Sequence, residues 1–214
     1  MAFAAFALPA YAEHKTERMT SPVPEEFAVE VRSQLANEGW IVSENDKPVL
    51  KIWLRKTIPG QSKPAGPKGN VLFPFLAEGE LLGAVEVLAE IGDYRDQPIA
   101  PGLYTFRYGL QPVNGDHLGT SPFRDYGCLV PSMIDRKPEA LTKKTLEKQS
   151  AEAAGTSHPA IMMFLAVEGE SQAGAIVRDD ANDRTSIVIP LNIEAEGATS
   201  PIRIQWIVAG RAAA

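Results

Sequence analysis

Regular alternation of apolar and polar residues between positions 104 and 110 constrains the fold of this chain more than any other part of its sequence. Tyr104, Phe106 and Tyr108 fall on one face of an extended strand, and Thr105 and Arg107 fall on the other. Other short apolar or alternating segments are 40–42, 50–55, 71–76, 85–91, 128–131, 160–167, 173–177, 186–193 and 201–209. About eight or nine short strands at this spacing predict a mainly β chain, folded as a single immunoglobulin-like or jelly-roll-like β-sandwich.

Two segments depart from this pattern and predict helices. Phe27, Val31 and Leu35 lie four residues apart, and Pro24 precedes them in what would be a first turn. This spacing predicts a short N-terminal helix with one apolar face. Residues 137–153 are rich in Lys, Glu and Ala and predict a second helix, inserted on the surface of the sandwich.

The first twelve residues have the composition of the end of a secretory signal peptide. They are almost entirely apolar or small, they finish in Ala10-Tyr11-Ala12, and the chain turns polar at Glu13. No Lys or Arg precedes the apolar run, so either the true start lies upstream of Met1 or the segment is an apolar N-terminus on a cytosolic protein. We predict a signal-peptide remnant over 1–12, a flexible N-terminus over 13–23, the sandwich domain over 24–214, and a periplasmic or secreted location.

Charge and hydropathy limit the classes of partner. The net charge is −6 with a pI near 5.2, and the Lys and Arg residues are scattered rather than clustered. A nucleic-acid-binding protein normally carries a basic patch, so no nucleic-acid partner is predicted. No apolar stretch approaches the roughly 20 residues that span a bilayer, so no transmembrane segment is predicted.

The densest cluster of chemically versatile side chains lies between two predicted strands, over residues 114–125. It contains Asp116, His117, Arg124 and Asp125, in a loop that is long for a hairpin. Long loops of this kind often carry function. The same residues also suit a structural interpretation, in which Asp116 caps local amides and Arg124 pairs with a carboxylate to fix the loop.

Metal binding and nucleophilic catalysis both find incomplete support in the sequence. His117, Cys128, His158 and Met162 or Met163 are the residue types of a blue-copper site, but a predicted helix separates Cys128 from His158. No metal and no cofactor are therefore predicted. A lone Cys in an apolar segment behaves as a small buried hydrophobe.

Hydrolysis by a nucleophile would have to use Ser121 with His117 and Asp125 or Asp116. The chain has no G-x-S-x-G motif, and it has no glycine-rich phosphate loop. These absences leave the enzyme question open and favour a role without catalysis.

Four segments carry a resemblance to other proteins. They are APGLYTFRYGLQ (100–111), DHLGTSPFRD (116–125), KIWLRK (51–56) and GTSHPA (155–160). On these segments the chain resembles a group of exported bacterial β-sandwich proteins that has no known activity. The resemblance implies export and a β-sandwich fold. It also implies that His117, Arg124, Asp125 and His158 form either a shared site or structural contacts of the fold.

The sequence as a whole favours an exported binding or accessory module. Its ligand would be a protein, a small molecule or a carbohydrate, and the ligand-binding residues would be Asp116, His117, Arg124, Asp125 and His158. The alternative is a hydrolase or a metal-dependent enzyme centred on His117 and His158.

Overall fold

The computed structural model describes residues 12–113, 121 and 123–210, and these residues are mainly β. The strands are β1 His14–Thr20, β2 Leu35–Glu44, β3 Lys47–Arg55, β4 Ile58–Pro59, β5 Leu81–Val87, β6 Ile91–Gly92, β7 Pro98–Ile99, β8 Gly102–Leu110, β9 Asp125–Pro131, β10 Ala160–Leu165, β11 Ile176–Asp179, β12 Arg184–Ala195 and β13 Ala198–Ala209. The helices are α1 Val29–Gln34 and α2 Lys143–Ala154, with a 3₁₀ turn over Asp180–Asn182.

One large antiparallel sheet dominates the molecule. Its strands follow the order β1-β2-β3-β5-β8-β9-β10-β13-β12-β11, and the sheet curls into a half-barrel. Strand β10 joins the two halves, since residues 160–163 pair with β9 and residues 164–165 pair with β13. The mainly β prediction is confirmed. The predicted β-sandwich is not confirmed, because β10 makes the two halves continuous.

Two contacts join the first and last parts of the curled sheet. Ile58 and Pro59 of β4 pair in parallel with Ile193 and Glu194 of β12. On the open side, Thr16 of β1 donates a hydrogen bond from its Oγ1 to the carbonyl of Gly174, just before β11. Gly174 has a φ of +84°, and a Cβ there would lie 2.4 Å from Nε1 of Trp40, so the loop before β11 packs tightly against the strand beside β1.

The inside of the curl is packed with large apolar side chains. Trp206 stacks on Phe106 with ring centroids 4.5 Å apart, and Phe164 meets Phe106 edge-on at 5.7 Å. Two smaller apolar clusters lie on the outer face of the sheet. One lies beneath the α1 region around Trp53, and the other lies beneath α2 around Cys128. Both helices therefore cover the sheet from outside.

Three local predictions within residues 14–76 differ from the structure. Residues 14–20, predicted to be flexible, form the edge strand β1, since Met19 is buried in the cluster beneath α1 and the strand pairs with β2 throughout its length. The first helix is shorter than predicted because Leu35 already opens β2. Residues 71–76 form turns instead of a strand, because the backbone N–H groups of Leu72 and Phe73 bind the Asp125 carboxylate instead of a neighbouring strand.

The second helix begins at Lys143 and not near residue 137. Thr142 caps it by accepting a hydrogen bond from the Thr145 N–H at 3.3 Å, and Gly155, at φ +61°, ends it. Residues 137–142 run ahead of the helix as a separate segment, whose carbonyl groups bind buried arginines. In the part of the chain that the structure describes, neither helix is long and apolar enough to cross a membrane.

Candidate functional site

A fully buried arginine lies in the centre of the sheet's outer face. Arg107 of β8 is 0% exposed, and it meets Asp135 in a two-pronged ion pair, Nε to Oδ2 at 2.5 Å and Nη2 to Oδ1 at 2.8 Å. Thr105 donates its hydroxyl proton to the same carboxylate. Two parallel charge-assisted hydrogen bonds fix both side chains in position and in angle.

The remaining donors of Arg107 bind backbone carbonyl oxygens. Its Nη1 donates to Gly79 at 2.7 Å and to Glu139 at 2.9 Å, and its Nη2 donates to Lys137. A buried charge is tolerated only where its hydrogen-bonding groups are satisfied. The Asp135 carboxylate and the carbonyls of Gly79, Lys137 and Glu139 accept the hydrogen bonds that the Arg107 guanidinium donates.

A second buried ion pair holds the same segment. Arg55 of β3 donates from Nη1 to Glu80 at 2.5 Å and to the carbonyl of Pro138 at 3.5 Å. Burial raises the pKa of Glu80, and the Arg55 charge opposes that rise. Three consecutive carbonyls, those of residues 137, 138 and 139, thus accept hydrogen bonds from the fully buried Arg107 and the largely buried Arg55, which restrains this segment.

An open cleft of about 420 Å³ lies between this restrained segment and α1. One wall is formed by Lys137, Pro138 and Glu139, and the opposite wall by Glu30, Ser33 and Gln34. The C-terminal end of α1 is anchored by Lys56, whose Nζ donates to the Ser33 carbonyl and whose backbone N–H donates to the Gln34 carbonyl, both at 2.9 Å. Hydrogen bonds to neighbouring elements therefore restrain both walls of the cleft.

Three of the four exposed large apolar side chains in the described part of the chain lie on α1 or in the turn before residues 137–139. Among the described residues, the exposed large hydrophobic side chains are Val29 at 63%, Met133 at 83%, Ile134 at 37% and Val113 at 65%. Val29 lies on α1 four residues before Ser33, and so on the same helix face. Met133 and Ile134 lie in the turn that leads to the restrained segment. None of these apolar side chains is among the residues that line the cleft.

Of the five predicted ligand-binding residues, Asp116 and His117 lie outside the described residues. The other three are Arg124, Asp125 and His158. Arg124 donates from Nε to the Gln111 carbonyl at 2.5 Å, and its backbone N–H donates to the Asn70 carbonyl at 2.9 Å. Its side chain thus fixes the base of the predicted loop.

Asp125 is completely buried at the start of β9. Its carboxylate accepts hydrogen bonds from the backbone N–H groups of Leu72 at 2.7 Å and Phe73 at 3.0 Å, and from the hydroxyl of Tyr108 at 2.5 Å. Burial raises the pKa of Asp125, against the opposing effect of these three donors. The carboxylate ties the turns of residues 71–76 to the sheet and has no exposed surface left for a ligand.

His158 is exposed and lies at the far end of the same strand pair. Its backbone N–H donates to the Thr156 hydroxyl at 3.1 Å, and the peptide carbonyl of His158 accepts from that hydroxyl at 3.0 Å. Since Leu129 pairs with Ala160, His158 is about six residue steps from Asp125 along the strands, or roughly 20 Å. The structure therefore does not bring Asp125 and His158 together.

The residues that build the cleft were not selected from the sequence. The alternation of residues over β8 predicts that Arg107 lies on the polar face of the strand, where a side chain is ordinarily exposed to solvent. Both faces of β8 are in fact covered from Tyr104 to Gly109. One signal in the sequence could have indicated the buried Arg107–Asp135 pair. Arg107 is a charged residue inside the most regular strand of the chain, and Asp135 follows later in the sequence.

Cys128 is expected to be inert toward thiol reagents in the folded protein. Its side chain is fully buried, and burial raises the pKa of its thiol to about 12. Because the thiolate is the reactive form, labelling at about pH 8 should be at least about 1,000-fold slower than in the unfolded chain, where the thiol pKa is about 8.5.

The measurement is an Ellman titration with and without guanidinium chloride. Cys128 is the only cysteine, so the signal has one source, and Cys128→Ala serves as the blank. Equal labelling rates in the folded and unfolded chain would contradict the buried position.

Within the described residues, no group of three or more His, Cys, Asp and Glu side chains is arranged to hold a metal ion. Comparison of the chain with protein-family models, with curated proteins and with solved structures finds no match. The features that bear on function are therefore the geometry of the cleft and the chemistry of its walls.

Proposed function

We propose that this chain is an exported binding module that holds an extended segment of a protein partner in the cleft between α1 and residues 137–139. The observation that carries the proposal is the restrained wall of the cleft, whose three carbonyls accept hydrogen bonds from the fully buried Arg107 and the largely buried Arg55. A binding surface fixed in advance loses less entropy when its ligand binds. The hydrogen bonds from Arg55 and Arg107 restrain residues 137–139, so this wall of the cleft is of that kind.

The chemistry of the walls favours a polypeptide over the other ligand classes. The cleft is open, and none of its six lining residues is aromatic, whereas sites for small molecules are enclosed and rich in apolar and aromatic side chains. Exposed Val29 and Met133 offer apolar contacts on either side of it. Glu30, Lys137 and Glu139 all line the cleft, so its walls offer charges of both signs to a segment with polar side chains.

The buried polar groups give little support to catalysis. Asp125 and Asp135 each accept several structural hydrogen bonds, and Asp93 accepts four, from Arg95, Gln97 and Ile161. Carboxylates whose oxygens already accept hydrogen bonds from the protein itself stabilise the fold. The alternative of a hydrolase or metal-dependent enzyme around His117 and His158 gains nothing from them.

Export is supported by the Ala10-Tyr11-Ala12 pattern and the change of polarity at Glu13. The scaffold is the half-barrel, and its relation to the immunoglobulin-like and jelly-roll sandwiches stays a prediction.

Peptide binding should depend on the apolar residues that flank the cleft. Peptides selected from a random library on the wild-type protein are expected to bind at least about tenfold more weakly to Val29→Glu and to Met133→Glu, because a few apolar anchors carry most of the energy of such contacts. Dissociation constants from fluorescence polarisation measure the effect. Both side chains are exposed, so the fold should lose no more than about 0.5 kcal/mol.

Val113→Glu is the matched control, since Val113 is as exposed as Val29 but lies outside α1 and the 131–139 segment. The Val113→Glu variant should bind the selected peptides with an affinity within about twofold of the wild type. Selected peptides that bind all three variants equally well, or a library that yields no binders, would count against the proposed function.

A further inference from the structure

The sulfur-containing side chains differ sharply in their exposure to solvent. Among the described residues, Cys128, Met162 and Met163 are at most 2% exposed and Met19 is 9% exposed, whereas Met133 is 83% exposed. Burial keeps dissolved oxidants away from the first four. In the part of the chain that the structure describes, Met133 is therefore the one sulfur-containing residue that an oxidant in solution reaches freely.

Met133 lies in a turn whose hydrogen bonds are made by its neighbours. The backbone N–H groups of Ile134 and Asp135 donate to the Pro131 carbonyl at 3.1 and 3.2 Å. The Asp135 carboxylate is held in turn by the buried Arg107. None of these bonds involves the Met133 side chain, so the turn keeps its shape when that side chain changes chemically.

Oxidation has different consequences at exposed and at buried methionines. It replaces a flexible apolar thioether with a polar sulfoxide. At Met163, whose Sδ accepts a hydrogen bond from Gln111 Nε2 at 3.4 Å, the added oxygen would enter a packed cluster beneath α2. At Met133 the oxygen enters water. Oxidation there alters the surface beside residues 137–139 and leaves the core intact.

We propose that Met133 is a site of reversible oxidation by peroxides and that its oxidation weakens the binding of a partner segment at the cleft. The Met133 Sδ takes one oxygen from hydrogen peroxide: the S–O bond forms, the O–O bond breaks, and sulfur loses two electrons. The proton of the transferred oxygen moves to the other oxygen, which leaves as water. This inference rests on the proposed function, in which Met133 supplies an apolar contact beside the cleft. A sulfoxide is too polar to supply it.

Selective oxidation is measured by treating the full folded chain with hydrogen peroxide, removing the peroxide with catalase and mapping the digested protein by mass spectrometry. Met133 should be oxidised at least about tenfold faster than Met162 and Met163, because only its thioether is in contact with solvent. In guanidinium chloride, where burial is lost, the three should react at similar rates. Similar rates in the folded chain would overturn the proposal.

Thermal unfolding separates a surface modification from damage to the fold. The chain oxidised at Met133 should keep its Tm within about 1 °C of the untreated chain, since changes at exposed positions outside the core have small effects on stability. A fall of several degrees would show that oxidation acts by unfolding the protein, and would overturn the proposal.

Peptide binding is compared before and after oxidation, with peptides selected from a random library on the wild-type protein and containing no Met or Cys. The affinity of the wild type should fall at least about fivefold, and methionine sulfoxide reductases should restore it. Met133→Leu, which keeps an apolar side chain without sulfur, is the matched control and should bind equally well before and after peroxide. Met133→Gln, with a polar side chain of similar length, should bind as weakly as the oxidised wild type.

The outcomes distinguish this proposal from the proposed function. If the peptides bind but oxidation of Met133 leaves their affinity unchanged, or if Met133→Leu is equally sensitive to peroxide, the proposal is overturned and the binding function stands. If no peptide binds, the proposed function fails and the control of binding by Met133 fails with it. The mass spectra then still decide whether Met133 is the oxidised residue.

Discussion

Replacement of Arg107 by methionine is expected to lower the free energy of unfolding by about 3–5 kcal/mol. The substitution leaves the Asp135 carboxylate buried without its charged partner, and it removes the donors that satisfy the carbonyls of Gly79, Lys137 and Glu139. Urea denaturation followed by tryptophan fluorescence measures the change. Since a domain of this kind is stable by roughly 5–15 kcal/mol, the variant should fold but unfold at much lower urea.

A double variant separates loss of the ion pair from loss of packing. Arg107→Met combined with Asp135→Leu removes both charges, so its cost should be at least about 1 kcal/mol smaller than the sum of the two single costs. Lys63→Met is the matched control. It breaks the exposed pair with Glu196 and should cost no more than about 1 kcal/mol. A loss below about 1 kcal/mol for Arg107→Met, or strict additivity, would contradict the structural role of the pair.

The second large effect is expected at Asp125. Asp125→Ala should destabilise the protein by about 3–4 kcal/mol, because the N–H groups of Leu72 and Phe73 and the hydroxyl of Tyr108 lose their acceptor inside the core. The midpoint and slope of urea unfolding report the loss. Protease cleavage within residues 59–76 should also become faster, since the carboxylate anchors the end of that segment to β9.

Tyr108→Phe is the control for this prediction, since it removes one donor and leaves the acceptor with the two backbone N–H groups. Its cost should be about 1 kcal/mol. The comparison also distinguishes the two interpretations of Asp125 that the sequence left open. Unchanged stability with loss of a bound ligand would make Asp125 a ligand-binding residue, as the sequence predicted, and would contradict the structural role argued here.

Local patterns in the sequence predicted the local structure well. The alternation over residues 104–110 became β8, the apolar segment around Cys128 became a buried strand, and the Lys/Glu/Ala-rich stretch became α2. Each of these depends on the period of a short segment, which the sequence displays directly. The curl of the sheet could not be predicted in this way, because it depends on pairings such as that of β10 with both β9 and β13.

The candidate site could not be predicted from the sequence for a related reason. Its walls come from residues 30–34 and 137–139, and its support comes from arginines on β3 and β8, so no short segment contains it. Reasoning from residue type favoured the loop with His117 and Asp125, where polar groups are concentrated. Polar groups in that loop turn out to include structural contacts, and the exposure of Val29 and Met133 becomes visible only once the fold is known.

Strand β4 cannot pair with β12 until the β12–β13 hairpin has been synthesised and has left the ribosome. Residues 58 and 193 are separated by most of the chain, and pairings over such distances are slow because a long loop must close first. We therefore expect the β1–β9 part of the sheet to stay incompletely closed until the rest of the chain has been synthesised. In that interval its apolar inner face is open to chaperones and proteases, so the yield of folded protein depends on how quickly the C-terminal hairpin is delivered.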